Sequence, residues 1–214
     1  MADNGTFFTK TIVKPLHSRL VRNRRVGLLS RYLSALLPRE DFLTGLDVGC
    51  GNGEVMQKIK ANRLNVKIIG LDVTGREGAA LDIIKFDGCK MPFKNKSFDF
   101  TMLIDVLHHA DDPMRLIQEC VRVSRKFILL KDHICETRWD RKVLRFMDWV
   151  GNRGYNVNLP YSYFSNRDWE RLFKIYRLTC EARLYKLNFY PRPFSFLFGR
   201  NLNFAARLSI GEQD

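Results

Sequence analysis

The sequence predicts an α/β protein: a mostly parallel sheet with helices on both faces, completed by an antiparallel strand pair at the C-terminal end. Three observations predict it. Apolar runs of strand length alternate with helix-period segments from about residue 43 to 134, the pattern of strand–helix–strand units. The first run ends in a glycine loop, LDVGCGNG, residues 46–53, and open sheets of this kind bind ligands outside the carboxyl ends of their strands. The last two apolar segments, LTCEARLYKLNFY and LNFAARLSI, are joined only by a Pro- and Phe-rich connection.

Each element follows from local signals. Residues 16–38 predict an amphipathic helix, because Leu29, Leu33, Leu36 and Leu37 recur at helical spacing and Pro38 stops it. Arg22, Arg24 and Arg25 crowd its first half. A strand is expected over 43–48, then the glycine loop, then a helix from Glu54 to Ala61. VKIIGLDV, 66–73, is the second strand, and DIIKFD, 82–87, a short third. SFDFTMLIDVLHH, 97–109, is apolar enough for a strand buried on both faces. Asp112-Pro113 opens a helix to about Val123, since proline suits a first helical turn. KFILLKDHI, 126–134, is another buried strand; 139–150 is helical; 151–163 is a loop rich in Gly, Asn and Tyr. Ser165 to Asp168 has the form of a capping box and starts a helix to about Tyr176. The terminal pair brings the sheet to seven strands. At 214 residues the chain is expected to be a single domain, 1–214, with 135–166 as a lid and specificity segment.

Composition narrows the classes. The five cysteines, at 50, 89, 120, 135 and 180, form no CxxC pair, so neither a disulfide framework nor a zinc site is expected, and no metal. Cys89, Cys120 and Cys180 are expected to be buried thiols, and Cys50 to be small for its loop. No apolar run reaches the length that spans a bilayer, and MADNGTFF lacks a signal pattern, so a cytoplasmic protein is expected. The net charge of +13 is uneven. Residues 1–40 hold eight Lys/Arg against two acids, 41–137 fourteen of each, and 138–200 thirteen against five. Basic flanks around a neutral centre attract nucleic acid, an anionic membrane surface or an acidic substrate, or serve solubility alone.

The loop discriminates between ligands. A dinucleotide site has GxGxxG, with amides at a helix start facing a pyrophosphate. Here the sixth position is Glu54, and Asp47 precedes the loop. Both acids would face the pyrophosphate charge. S-adenosylmethionine carries a sulfonium, an ammonium and free ribose hydroxyls, and no phosphate, so the same acids favour it. Asp72, 21 residues after Gly51, stands where a ribose acid is expected for either cofactor.

LDVGCGNG, GLDV, FDGCKMPFKNKSFDFTMLIDVLHH and DDPMRLIQECVRVSRKFILLKDH together resemble the class I S-adenosylmethionine-dependent methyltransferases over about residues 43–133. The look is nearest to the small type 11 branch, which includes quinone C-methyltransferases. The resemblance implies a Rossmann-like sheet and a set of cofactor contacts. Gly49, Cys50, Gly51, Asn52 and Gly53 would wrap the methionine part, with Asp47 nearby. Asp72 would take both ribose hydroxyls, and Val73 would pack on the adenine. Asp87 would accept from the adenine amino group, and Gly88 would lend its amide. Asp105, Val106 and Leu107 would touch the methionine end. GREGAA, 75–80, departs from the family in being short for the helix after the second strand.

Methyl transfer is an in-line displacement, in which alignment supplies most of the effect and a base helps when the nucleophile carries a proton. Asp132-His133 ends the fifth strand, with His133 as the expected base and Asp132 as its orienting partner. His108 and His109 follow the fourth strand, and His108 is expected to touch substrate. Asp148 and Asn152, four apart on a predicted helix, share a face and are expected acceptor contacts. Trp149, Tyr155, Tyr161 and Tyr163 would line an aromatic wall. A small-molecule acceptor is expected. A lipid or quinone at a membrane surface is the alternative, with the Arg-bearing first helix as the anchor. The chain has no NPPY or DPPY tetrapeptide and no Pro-Cys nucleophile, which argues against nucleic acid. A protein that binds the cofactor without catalysis is the remaining class.

Overall fold

The computed structural model describes residues 14–39, 41–74, 83–152, 161–185, 187–189 and 202–211. Its strands are β1 Leu43–Val48, β2 Val66–Asp72, β3 Ile83–Lys85, β4 Phe98–Ile104, β5 Ser124–His133, β6 Leu178–Tyr185 and β7 Asn203–Ile210. They form one sheet in the order β3-β2-β1-β4-β5-β7-β6. Strands β1 to β5 pair in parallel, while β7 runs antiparallel to both β5 and β6. The order reverses direction between β1 and β4, and open sheets of this kind bind ligands outside the carboxyl ends of the strands at such a switch point.

Among the described residues five helices cover the sheet: α1 Lys14–Leu36, α2 Glu54–Asn62, α3 Pro113–Val123, α4 Arg138–Asn152 and α5 Asn166–Ile175. The strand period of two divides the core. Phe127 and Leu129 of β5 join Leu29 and Leu33 of α1 and Met56 and Ile59 of α2 on one face. Ile128 and Leu130 join Ile117 and Cys120 of α3 and Trp169 of α5 on the other. Asp112 caps α3 by accepting from the Arg115 amide at 2.9 Å, and Ser165 and Asp168 form the expected capping box of α5.

Two expectations are corrected. The run 97–109 is not one strand: β4 stops at Ile104, Asp105 takes a left-handed φ of 56°, and Leu107–His109 form a 3₁₀ turn. That break brings Leu107 and His108 into buried positions. Cys120 is buried, but Cys89 and Cys180 are exposed. Among the described residues, their positions, past β3 and on the outer edge strand β6, have no element over them. The short GREGAA stretch, most of the 151–163 loop and Tyr155 lie outside the described residues.

Candidate active site

The loop after β1 is shaped by its glycines. Gly49, Gly51 and Gly53 have φ of 70°, 61° and 78°, a region that costs other residues about 1–2 kcal/mol. A Cβ at Gly49 would also lie 2.7 Å from Cγ2 of Val106. The loop is thus pressed against the segment after β4. Cys50 fits as a small side chain, its Sγ 2.6 Å from where a Cβ on Gly70 would sit. Burial, then Asp47 and Asp72, push its thiol up, so it is no nucleophile. Asn52 accepts from the Glu54 amide at the start of α2.

The acids around the loop have separate duties. Asp72 accepts from the Gly51 amide at 2.7 Å and from the amide and hydroxyl of Thr74 at 2.8 and 2.7 Å. A carboxylate offers about four acceptor positions, so one is left for a ribose hydroxyl, where two were expected. Asp87 spends one oxygen on the Cys89 and Lys90 amides and keeps the other. Val73 is half exposed, and its Cγ1 approaches the Cβ direction of Gly88 at 3.2 Å. Asp47 is 2% exposed, and its Oδ1 has no hydrogen-bond partner among the described residues. Burial, then the charge of Asp72, hold its carboxyl well above the ordinary range. A buried carboxylate oxygen without a donor is what a cationic ligand satisfies. These residues therefore fit S-adenosylmethionine: bare backbone for close approach, an orphaned buried acid for positive charge, and free acceptors along the nucleoside side.

Past the loop, the ends of β4 and β5 carry a buried polar cluster. Asp105 accepts from Arg25 of α1 and from Lys131 of β5. Burial opposes its ionisation, but Lys131, Arg25 and His133 outweigh that and hold the carboxyl far below its usual range. Lys131 is 1% exposed and also donates to Asn203 of β7 at 2.8 Å. Asp132 does not orient His133. It meets Nδ1 of His108 at 2.6 Å and accepts the His133 backbone amide at 2.7 Å. Neighbours on a strand point to opposite faces, so the partner comes from another segment. His133 instead directs Nδ1 to the Leu202 carbonyl at 3.4 Å, and its Nε2 lies 3.5 Å from Asp105. Burial and the Lys131 ammonium bring its pKa down to about 3. It is a neutral imidazole at physiological pH and a weak base.

Helix α4 adds Asp148, which accepts from the Tyr163 hydroxyl. Nε2 of His108 lies 3.6 Å from Asp148, and Nε2 of His133 3.9 Å. Val106 faces Gly49, whereas Leu107 packs into the core beneath α3. Tyr161 stands behind Tyr163, 6.4 Å away, under the Arg145 guanidinium, so Tyr163 meets the histidines in its place. Trp149 is 48% exposed beside Phe146, on the outer side of α4, and is no part of the wall. Asn152 ends α4, and its side chain lies outside the described residues. Sequence reasoning missed Lys131, Arg25 and Asn203. One signal was available for Lys131: a lysine inside a doubly buried strand must find a carboxylate.

Residues 46–127 match the family model described as a methyltransferase domain. The 27-O-demethylrifamycin SV methyltransferase of Amycolatopsis mediterranei is 27% identical over 110 residues, 45% of this chain and 40% of that protein. The tRNA (carboxymethyluridine(34)-5-O)-methyltransferase of Saccharomyces cerevisiae is 35% identical over 89 residues, 38% of this chain and 30% of that protein. The chain thus matches well under half the length of these curated relatives. A solved structure, the complex between the Haloferax volcanii Trm112 methyltransferase activator and a putative methyltransferase, superposes with a TM-score of 0.67 at 13% identity, covering all of both chains. Among the described residues no helix is long and apolar enough to cross a membrane. The domain match falls on the glycine loop and on the strands from β1 to the start of β5, so residues 46–127 resemble a methyltransferase domain carried on a seven-stranded sheet of the methyltransferase type.

Proposed function

We propose that this protein transfers a methyl group from S-adenosylmethionine to a small-molecule acceptor held by the polar cluster at the ends of β4 and β5. One observation carries the reading. The segment 105–108 touches both halves of the site: Val106 packs on Gly49 of the cofactor loop, while Asp105 and His108 belong to the buried cluster. When bound, the cofactor supplies an electrophilic methyl on a sulfonium. Asp47 and the loop backbone hold its charged end, and Asp72, Asp87 and the Gly88 amide hold the nucleoside. Arg25 ties α1 to Asp105 and Arg22 ties it to Glu54 at 3.5 Å, which sets this helix beside the loop and the end of β4. His108, His133, Asp148 and Tyr163 face the acceptor and fix its orientation, which is where most of the rate effect lies.

The test is release of S-adenosylhomocysteine when the full chain is incubated with S-adenosylmethionine and fractionated metabolite extract. Turnover that depends on one fraction and is lost in Asp132→Asn supports the reading. Tight cofactor binding with no turnover on any fraction makes the protein a binder and rejects it. A second reading, an RNA acceptor, is favoured by the tRNA-modifying relatives and by the net charge of +13. Turnover on total tRNA, but on no nuclease-treated extract, selects it.

A further inference from the structure

We propose that Asp105, His108 and His133 form a binding site for a divalent transition metal, a zinc-class ion, with Asp148 beside its open position. Each of the three brings a ligand atom within 4.8 Å of the other two. The separations are the telling feature. His133 Nε2 to Asp105 Oδ1 is 3.5 Å, His108 Nε2 to Asp148 Oδ2 is 3.6 Å, and His133 Nε2 to Asp148 Oδ1 is 3.9 Å. All exceed a hydrogen bond. Two ligands on one tetrahedral ion, with bonds of about 2.0–2.2 Å, stand roughly 3.3–3.6 Å apart. The Asp105–His133 and His108–Asp148 separations fall in that range, while His133–Asp148 is slightly longer.

The rest of the arrangement is independent of those distances. His108 is 1% exposed, and its Nε2 has no hydrogen-bond partner among the described residues. Its Nδ1 is held by Asp132 at 2.6 Å, and Nδ1 of His133 faces the Leu202 carbonyl. A metal-bound imidazole almost always gives its other ring N–H to a carboxylate or a backbone carbonyl, and here one histidine has each. The Trp169 indole clamps the His133 carbonyl at 2.9 Å, and the Tyr163 hydroxyl fixes Asp148. The charge balance permits a cation: Asp105, Asp132 and Asp148 outnumber Lys131 and Arg25. Two imidazoles and a carboxylate suit zinc and its neighbours, whereas magnesium and calcium prefer oxygen alone. The ligands come from two separate strand ends, so no His or Cys spacing announces them.

The ion's role as the anchor for an oxygen or nitrogen atom of the acceptor rests on the methyl-transfer reading; its binding does not. Cobalt(II) is the probe, titrated into chelator-stripped, tag-free full chain carrying Cys89→Ser and Cys180→Ser to remove exposed thiols. We expect one equivalent bound, with the visible bands of a four- or five-coordinate ion and no thiolate charge-transfer band. His108→Ala and His133→Ala should each weaken binding by about 100-fold or more. Asp132→Asn, which preserves shape and serves if either alanine variant fails to fold, should weaken it about 10–100-fold. Absence of those bands in the parent chain, or cobalt affinity unchanged in the variants, overturns the site. Calorimetry with S-adenosylmethionine on the same samples keeps the two claims apart. Cofactor binding without cobalt binding removes the metal alone, and cobalt binding without cofactor binding leaves the metal and removes the methyl-transfer reading.

Discussion

A carboxylate as deeply held as that of Asp47 resists ionisation until a cation arrives. Its folded pKa is raised, so the unliganded folded chain binds its proton more tightly than the unfolded chain. The stability it contributes is present below the unfolded value of about 3.9 and is lost as pH rises through the folded value. Asp47→Asn should therefore leave stability little changed under acid conditions and raise it increasingly toward neutral pH, read as the melting-temperature difference from wild type across a pH series. The same variant should weaken S-adenosylmethionine by about tenfold or more, as expected for losing a charged partner. A melting difference that shrinks with pH would contradict the assignment. At this scale the sequence was legible in placement, since Asp47 and Asp72 stand beside the loop as their positions alone indicate. It was not legible where a partner lies far along the chain. Asp132 and His133 are adjacent and read as a pair, yet strand alternation separates them and His108, 24 residues away, takes the carboxylate.

Helix and strand boundaries carried strong local signals. The Ser165–Asp168 capping box and the Asp112-Pro113 start were readable because caps satisfy nearby amides through nearby side chains. Ser165→Ala should cost about 1 kcal/mol and lower the melting temperature without changing cofactor affinity; an unchanged melting temperature would show that the cap contributes nothing. Gly49→Ala tests the loop as an element. With φ at 70° and Val106 at 2.7 Å, the loop must shift, and S-adenosylmethionine affinity should fall about tenfold or more by calorimetry. Retained affinity would mean that the loop does not approach its ligand closely. The end of β4 was not readable in the same way. LIDVLHH stays apolar through Leu107, so periodicity carries the strand onward. What ends it is the left-handed Asp105, held by Arg25 and Lys131 from two other elements.

Across the whole molecule, alternation of apolar runs sufficed for the sheet, because parallel strands need helical crossovers and the terminal pair had none between them. The proposed acceptor site is not written there, since its residues come from β4, β5, α4 and Tyr163. The +13 charge belongs to this scale too. If RNA is the acceptor, binding should weaken steeply with salt; a small-molecule acceptor should show an almost flat salt response, and initial rates from low to physiological salt distinguish them. The central claim is that bare backbone and buried acids grip a cationic, phosphate-free nucleoside. Calorimetry of the full chain against S-adenosylmethionine and NAD tests it most directly. The account predicts one-to-one binding of S-adenosylmethionine, weakened in Asp47→Asn, and no heat with NAD. Tight NAD binding with none for S-adenosylmethionine would contradict it.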